Sequence, residues 1–372
     1  MHRVSQANPA GRRIVLPRYA QSQREAVDRV LVLEEIDPPR ADSLKPDEVL
    51  VRIRSAAIAF ADLLMLSGQY RFMPPLGGTP GLSYAGTVTA VGSNVNTSKM
   101  RVGDAVLGDF FRVGPRSRGE YRAAGGWASF AVAPEHGLHR MPGNLSFDQA
   151  ANLLVNYETA YYALVTRGQL KPGETVLING ASGATGMAAV QLAKILGAKV
   201  IATGRSDAKR DLVMAFGADH FIATSRADGS VARFRDEVRA LCGAEGAHMV
   251  YDTVGGDVSL ESMHSLRFAG RHVIVGWISD GGGDGGHAPR NADQLPTRII
   301  QLKGLYVMGS PTLEHAERDP QLREERLARI FGWAEAGLVC PFVSHAYPLE
   351  EFREAMRRKL NGDVVGSCVL NP

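Results

Sequence analysis

Apolar and polar residues alternate along much of the first third of the chain, as they do in a β-sheet. Residues 48–54 follow the two-residue period of a half-buried strand. Residues 83–91, rich in threonine, valine and glycine, form a second strand candidate. Residue pairs containing proline or glycine at 74–75, 80–81 and 103–104 separate such runs and predict turns. The N-terminal third is therefore predicted to be a β-rich domain.

From about residue 141 the pattern changes to short apolar strands that alternate with segments of helical period. These predicted strands and helices lie at 175–179, 187–196, 200–203, 208–216, 249–252 and 271–275. Such alternation is typical of βαβ units, which build a parallel, doubly wound sheet. Helix candidates at 321–336 and 349–360 and a last strand at 367–370 follow. The chain is therefore predicted to be an α/β protein.

Composition excludes some classes of function. The 372 residues are enough for two domains, and a net charge of +3 with scattered Lys and Arg does not indicate nucleic-acid binding. No stretch approaches the roughly 20 apolar residues of a membrane span, and no apolar run suggests a cleaved signal peptide. The cysteines, Cys242, Cys340 and Cys368, are far apart and odd in number, which fits a reducing compartment. We expect a cytoplasmic protein.

A glycine-containing turn between a predicted strand and a predicted helix carries the strongest functional signal. Gly183 would let the backbone approach a pyrophosphate, and Gly186 would let the helix pack closely on the strand. The N–H groups and dipole of the helix N-terminus would hold the phosphates. Ala181 replaces the first glycine of the strict dinucleotide-binding pattern, and a plain tight turn is the alternative interpretation. The predicted cofactor-binding residues here are Ala181, Ser182, Gly183, Ala184, Thr185 and Gly186.

The end of the next predicted strand favours NADPH over NADH. NAD-dependent proteins place an acidic residue there to bind the ribose hydroxyls, whereas this chain has Gly204 followed by Arg205. A charge-assisted contact of Arg205 with the 2′-phosphate would contribute about 1.5–3 kcal/mol, or roughly a ten- to hundredfold preference. Ser206 and Arg210 could add hydrogen bonds. Asp207 is interpreted as the N-cap of the following helix.

Short motifs follow one another in order along nearly the whole chain from about residue 30. They are Ala61-Asp62, Gly68-Gln69-Tyr70, Pro80-Gly81, Ala85-Gly86, Gly103-Asp104, Gly125-Gly126-Trp127-Ala128, Thr159-Ala160-Tyr161, the turn 181–186, Gly217-Ala218-Asp219-His220, Tyr251-Asp252-Thr253-Val254-Gly255-Gly256, Val273-Ile274-Val275-Gly276 and Val364-Val365-Gly366. In this combination the chain resembles the zinc-independent quinone oxidoreductases of the medium-chain dehydrogenase/reductase superfamily.

The resemblance implies a two-domain architecture. A β-rich, chaperonin-10-like substrate domain would contain residues 1–140 and 317–372. A Rossmann domain with a doubly wound parallel sheet, residues 141–316, would be inserted between these segments and bind NADPH. The resemblance also implies a site in the cleft between the domains, a homodimer, and a small-molecule acceptor as the other partner, with no nucleic acid and no membrane.

The same resemblance argues against a catalytic zinc. The ligand positions of zinc-bearing relatives correspond here to Ala59, Leu82 and Val155, none of which can bind zinc. His136 and His139 form a spaced pair, but their loop-strand context does not favour a metal site. Without a Lewis acid the acceptor must take hydride readily, as quinones and conjugated enones do. We therefore predict no metal and an electrophilic acceptor.

Tyr70 is the candidate catalytic residue. A resemblance to enoyl-thioester reductases implies that the tyrosine of this Gly-x-Tyr segment donates a proton, and a phenol is protonated at neutral pH. The alternative is a tyrosine that only lines an apolar cleft. Ala59 stands where many quinone-type relatives have an asparagine, which weakens any role for an amide there. Asp62 is interpreted as a helix cap rather than a catalytic acid.

Further residues are predicted near the nicotinamide by family analogy. Tyr157 and Thr159 would lie on the first helix of the cofactor domain, with packing in the core as the alternative. Trp277 would lie beside the nicotinamide, although a buried aromatic there needs no function. Val254 and Gly276 complete the predicted cofactor-binding set.

Three functions remain open at this point. The leading hypothesis is an NADPH-dependent reductase of quinones or related α,β-unsaturated carbonyls. An enoyl-CoA or enoyl-thioester reductase would need basic residues at the mouth of its channel. The arginine-rich loop 112–122 could supply them, although a solvated loop is the simpler interpretation. The third is a low-turnover NADPH-binding protein with a structural or sensor role. The glycine-rich stretch 281–286 is predicted to be a loop, either a surface connection or a lid.

Overall fold

Two compact units make up the chain. The structure is a computed structural model that describes residues 10–68, 70–277 and 294–372. The first unit contains residues 1–152, 345–363 and 368–372, and the second contains residues 153–344 and 364–367. Gln69 and the predicted loop at 281–286 lie outside the described residues.

The N-terminal part of the chain is mainly β-sheet, as its alternating pattern predicts. Its elements are β1 (Gly11–Val15), α1 (Gln23–Glu25), β2 (Val32–Ile36), β3 (Glu48–Ala57), α2 (Phe60–Leu66), β4 (Tyr84–Val91), β5 (Ala105–Gly108), β6 (Phe130–Pro134), β7 (Leu138–Arg140) and α3 (Phe147–Ala151). The antiparallel pair β1–β2 was not predicted, whereas α2 lies where Asp62 was interpreted as a helix cap. In β3, Val51 and Ile53 are buried while Arg52 and Arg54 are exposed, as the two-residue period requires.

The rest of the chain alternates strands and helices before it returns to the first sheet. Its elements are α4 (Leu153–Tyr161), β8 (Thr175–Ile178), α5 (Ala184–Ile195), β9 (Lys199–Gly204), α6 (Arg210–Ala215), β10 (His220–Ala223), α7 (Arg235–Leu241), β11 (Ala247–Asp252), α8 (Gly256–Ser265), β12 (Leu266–Ile274), α9 (Thr297–Lys303), β13 (Tyr306–Gly309), α10 (Thr312–Arg318), α11 (Pro320–Glu335), β14 (Val343–Pro348), α12 (Phe352–Asn361) and β15 (Ser367–Asn371). Among these described elements, no helix is both long and apolar enough to cross a membrane.

The first sheet has seven strands. Six of them follow the order β14-β15-β3-β4-β5-β7, and the seventh, β6, pairs with β3. The indole of Trp127, which has no exposed surface, packs inside this unit and donates a hydrogen bond to the Ala57 carbonyl over 3.0 Å. Gly81 has φ +102°, and a Cβ there would lie 2.7 Å from the indole. The Pro80-Gly81 motif therefore reflects a close approach of backbone to Trp127, which only glycine allows.

The second sheet has six parallel strands in the order β10-β9-β8-β11-β12-β13. Counted within this sheet, the order is 3-2-1-4-5-6, the arrangement of a Rossmann fold. The predicted fold class, a doubly wound parallel sheet with a β-rich second domain, is confirmed. The strand order reverses between β8 and β11, and such switch points are where these folds bind ligands, outside the carboxyl ends of the strands.

The boundaries of the two units differ from the predicted ones. Residues 141–152 belong to the first unit, and residues 317–344, expected in the substrate domain, belong to the second. The carboxylate of Glu158, on α4, binds Arg323 and Arg326, on α11, over 2.9 Å each, and all three side chains are buried. Buried charges are found almost only when they are paired. This ion triad attaches α11 to the second unit. Glu158 and the two arginines are too far apart in sequence for their pairing to be predicted from the residue pattern.

We expect Glu158→Gln to lower the free energy of unfolding by about 3–5 kcal/mol, because it leaves two buried guanidinium groups without a countercharge. Urea unfolding measures this loss. The matched control is Asp42→Asn, which removes the exposed Arg40–Asp42 pair and should cost no more than about 1 kcal/mol. Similar small losses in both variants would contradict the structural role of the triad.

Candidate functional site

The turn after β8 lies at the switch point of the parallel sheet. Gly180 has φ +67°, and a Cβ at this position would lie 2.6 Å from the Thr253 hydroxyl oxygen. That hydroxyl donates a hydrogen bond to the Asn179 carbonyl over 2.9 Å, which joins the ends of β8 and β11. Ala181, fully buried, donates its N–H to the Thr203 carbonyl of β9 over 3.0 Å. The three neighbouring strand ends are therefore fixed relative to one another.

Helix α5 begins where a dinucleotide pyrophosphate would need it. A Cβ at Gly186 would lie 2.2 Å from the Gly180 carbonyl oxygen, so the absence of a side chain lets the helix pack directly on the turn. Gly183 is the N-cap and supplies no side-chain cap, and a Cβ there would meet only the Gly180 carbonyl oxygen, at 3.4 Å. The first N–H groups of a helix have no intrahelical acceptor. The turn thus fits an anionic diphosphate, as predicted from its sequence.

The C-terminal motif also reaches this turn within the second unit. Gly366 donates its N–H to the Ser182 carbonyl over 2.7 Å and forms an isolated bridge with Gly183. Its φ is +62°, and a Cβ would lie 2.5 Å from the Phe342 carbonyl oxygen. The Val364-Val365-Gly366 motif therefore supports the cofactor turn from a distant part of the chain.

A buried polar network behind the turn was not predicted from the sequence. Asp252, at the end of β11, contacts His272 Nε2 over 3.0 Å, the Ser259 hydroxyl over 2.5 Å and the Asn179 amide over 3.2 Å. Asn179 also accepts a hydrogen bond from Thr203 over 3.0 Å. Burial would raise the pKa of Asp252, but the His272 hydrogen bond and charge, with the Ser259 hydroxyl, lower it below its ordinary value.

The network holds the loops that would border a nicotinamide. The N–H of Val254 donates to the Asp252 carboxylate over 3.0 Å, and that of Gly276 to the Asp252 carbonyl over 3.3 Å. Trp277, the next residue, is 52% exposed. The sequence signal for this network was available, because Asn179 and Asp252 each end a predicted strand.

The predicted ribose-binding residues divide into two groups. Gly204 ends β9, and Arg205 and Ser206 after it are exposed. Arg210 instead binds the Asp207 carboxylate, with Nε to Oδ1 at 3.0 Å, and donates to the Phe221 carbonyl over 2.8 Å. Arg205 and Ser206 are therefore the better placed residues for a 2′-phosphate, while Arg210 secures the turn.

The interpretation of Asp207 as an N-cap is wrong. Ser206 is the N-cap of a short 3₁₀ turn that begins at Asp207, and Lys209 precedes α6. The Asp207 carboxylate is committed to the salt bridge with Arg210. This bridge offsets its negative charge beside the predicted phosphate site, a compensation that spacing alone does not show.

Helix α4 carries two residues predicted near the nicotinamide. Thr159 is half-buried and donates its hydroxyl proton to the Val155 carbonyl over 2.7 Å. Tyr157 is buried, and its hydroxyl donates to Gln191 Oε1 over 3.0 Å. The core-packing alternative therefore holds for Tyr157. Thr185 donates to Asn156 over 3.2 Å, which ties the start of α5 to α4.

In the first unit, the candidate proton donor Tyr70 contacts a residue from the arginine-rich loop. Arg116 Nη2 donates a hydrogen bond to the Tyr70 hydroxyl oxygen over 2.5 Å. Arg122 of the same loop donates to the Met73 carbonyl over 2.6 Å. The simpler interpretation, a solvated loop, is therefore not right for the whole loop. Arg112 and Arg118 are nevertheless exposed.

Asp62 lies buried at the start of α2, where it has a capping role. Its carboxylate accepts hydrogen bonds from the N–H of Ala59, the N-cap residue, over 2.8 Å and from that of Leu82 over 2.9 Å. Burial raises the pKa of Asp62 to about 7, while these N–H groups and the charge of Arg116 act in the opposite direction. The interpretation as a cap is confirmed, with Asp62 as the third helical residue rather than the N-cap.

The spaced histidines do not form a metal centre with other ligands. His139 Nε2 lies 3.4 Å from the Asp109 carboxylate, and His136 is exposed. Within the ranges that the structure describes, no group of three or more His, Cys, Asp or Glu side chains could hold a metal ion.

A Rossmann sheet with a dinucleotide-type turn, joined in one chain to a β-rich unit, defines a class of two-domain nicotinamide-dependent oxidoreductases. Residues 45–143 match the family described as alcohol dehydrogenase GroES-like domain, and residues 184–323 match that described as zinc-binding dehydrogenase. The mouse protein named quinone oxidoreductase-like protein 2 is 33% identical over 340 residues, covering 90% of this chain and 88% of its own. The chain belongs to the medium-chain dehydrogenase/reductase superfamily, as a quinone oxidoreductase-like protein.

Solved structures agree with this assignment. A quinone oxidoreductase from Pseudomonas syringae pv. Tomato DC3000 is 28% identical with a TM-score of 0.75, covering 97% of this chain and 100% of its own. A mycobacterial protein in complex with NADPH is 26% identical with a TM-score of 0.76 and the same coverage of 97% and 100%. The predicted family is thereby confirmed at the level of the superfamily and its quinone oxidoreductase-like members.

Two glycine variants test which glycine of the cofactor turn is required for packing. Gly186→Ala should lower the free energy of unfolding by about 1–3 kcal/mol, because its Cβ would overlap a backbone oxygen that cannot easily move. Gly183→Ala should change it by no more than about 0.5 kcal/mol, because the position is open and its φ is −80°. Urea unfolding without cofactor measures both. Equal losses would show that Gly186 has no special packing role.

Proposed function

We propose that the protein is an NADPH-dependent oxidoreductase that works without zinc and transfers hydride to quinones or related α,β-unsaturated carbonyl compounds. The observation that carries the proposal is which side chains stand at the three positions that correspond to the zinc ligands of zinc-bearing relatives. Ala59 has no ligating group, and Leu82 is an apolar side chain buried to 1% exposure. With Val155 at the third position, no ligating side chain remains. The acceptor must therefore be one that takes hydride without a metal ion to polarise it.

The residues of the chain have distinct tasks in this proposal. A bound nicotinamide cofactor supplies the hydride. The N-terminus of α5 binds the diphosphate, Gly183 leaves space for the diphosphate to approach the backbone, and Arg205 binds the 2′-phosphate. Tyr70 donates the proton that completes reduction of the acceptor. The quinone oxidoreductase names of the relatives and the NADPH found in a structural neighbour support these assignments.

One observation favours an enoyl-thioester reductase as a second candidate. Exposed Arg112 and Arg118 flank Arg116, which contacts Tyr70, so the loop combines surface cations with the candidate proton donor. Phosphate groups of a coenzyme A thioester are recognised by such cations. A third possibility is a low-turnover NADPH-binding protein.

Initial rates of NADPH oxidation with 1,4-naphthoquinone and with crotonyl-CoA, measured under identical conditions, distinguish these functions. We expect turnover with the quinone and little with the thioester. Turnover with the thioester alone would replace the proposal by an enoyl reductase. Tight NADPH binding with neither acceptor reduced would instead favour the low-turnover protein.

We expect Arg205→Ala to raise the Kd for NADPH by roughly ten- to hundredfold, because it removes a charge-assisted contact to the 2′-phosphate. The Kd for NADH should change little, since NADH lacks this phosphate. Titration of protein fluorescence with each cofactor measures both constants. Arg298→Ala, which removes an exposed arginine of α9, is the control for lost positive charge. Equal weakening of NADPH and NADH in Arg205→Ala would refute the assignment.

A further inference from the structure

Arg116 and Tyr70 form a side-chain pair inside the first unit. Besides the 2.5 Å hydrogen bond, the Arg116 guanidinium carbon lies 5.2 Å from the centre of the Tyr70 ring and 5.6 Å from that of Phe110. Phe110 is buried, and both Arg116 and Tyr70 are half-buried. The cation is therefore held against aromatic surface rather than extended into solvent.

The direction of the hydrogen bond is fixed by chemistry. A guanidinium group has only N–H donors and no acceptor, so the phenol oxygen of Tyr70 must accept. The hydroxyl proton of Tyr70 cannot be used in this contact and remains available to another acceptor. Arg116 thus orients the phenol without consuming the proton that the proposed reaction requires.

The positive charge of Arg116 is also available to interact with a negative charge that forms beside it. Among the residues that the structure describes, the buried Nε of Arg116 has no hydrogen-bond partner. The nearby buried carboxylate, Asp62, has its oxygens engaged by the N–H groups of Ala59 and Leu82. A positive charge in an apolar environment interacts strongly with any negative charge that forms beside it.

We propose that Arg116 is the positioning residue of the reaction. It directs the hydroxyl proton of Tyr70 towards the acceptor and stabilises the negative charge that proton donation leaves on the phenol oxygen. This inference rests on the proposed function, in which Tyr70 is the proton donor. In the step, the O–H bond of Tyr70 breaks and a new O–H bond forms on the oxygen of the hydride-reduced acceptor. The electron pair stays on Tyr70, and water returns the proton.

The experiment compares Arg116→Ala, Tyr70→Phe and the double variant in the full-length protein with NADPH and 1,4-naphthoquinone. We expect Arg116→Ala to lower kcat by roughly 10- to 100-fold, as for loss of one charge-assisted hydrogen bond, and to leave the Kd for NADPH unchanged. The double variant should be no slower than Tyr70→Phe, because Arg116 acts only through the phenol. Free guanidinium ion, added well below denaturing concentrations, should restore part of the activity of Arg116→Ala but not that of the double variant.

Arg40→Gln is the control, since it removes an exposed arginine from the same unit, and it should keep the wild-type rate with this quinone. Additive losses in the double variant without rescue would overturn the role of Arg116 while leaving Tyr70 as donor. An unchanged rate in Tyr70→Phe would instead remove Tyr70 as proton donor, and with it the inference.

Discussion

The cofactor unit depends on one close approach between backbone segments. The Gly180 carbonyl oxygen occupies the space that a Cβ of residue 186 would need. Because this contact is made, α5 begins directly at the end of β8, and its free N–H groups lie at the switch point of the sheet. A larger residue would push the helix away from the strand and displace the only part of the turn that can bind a diphosphate through backbone groups.

The contact is maintained by interactions that come from distant parts of the chain. Asp252 and Asn179 join the ends of β8 and β11 through buried hydrogen bonds, and His272 and Ser259 satisfy the remaining carboxylate oxygen. Gly366 adds support from the C-terminal motif. Buried polar groups are costly unless they are paired, so the hydrogen bonds of Asp252 and Asn179 favour a single arrangement of these strand ends. The turn proposed to bind the diphosphate is therefore held by buried contacts, whereas Arg205 is exposed.

In the first unit, the candidate catalytic residue Tyr70 and its partner Arg116 come from two segments that the sequence did not connect. Tyr70 was recognised from a short motif, whereas its partner Arg116 belongs to a loop whose sequence suggested only solvent or a phosphate ligand. The two residues meet because the loop containing Arg116 and Arg122 folds against the segment from Tyr70 to Met73. The hydrogen bond gives the phenol a defined orientation that the motif by itself could not indicate.

The sequence by itself determined the fold class, the position of the dinucleotide turn and the family, because these follow from local periodicity and from short motifs that can be read in order along the chain. It also gave Arg205 at the end of β9, since the residue after a strand is set by the strand itself. Tertiary structure alone decided the burial of Tyr157, the unit to which α11 belongs, and the pairing of Arg116 with Tyr70. Each of these depends on which side chains meet across the fold. Ion pairs and buried hydrogen bonds between residues far apart in sequence leave no periodic pattern from which they could be predicted.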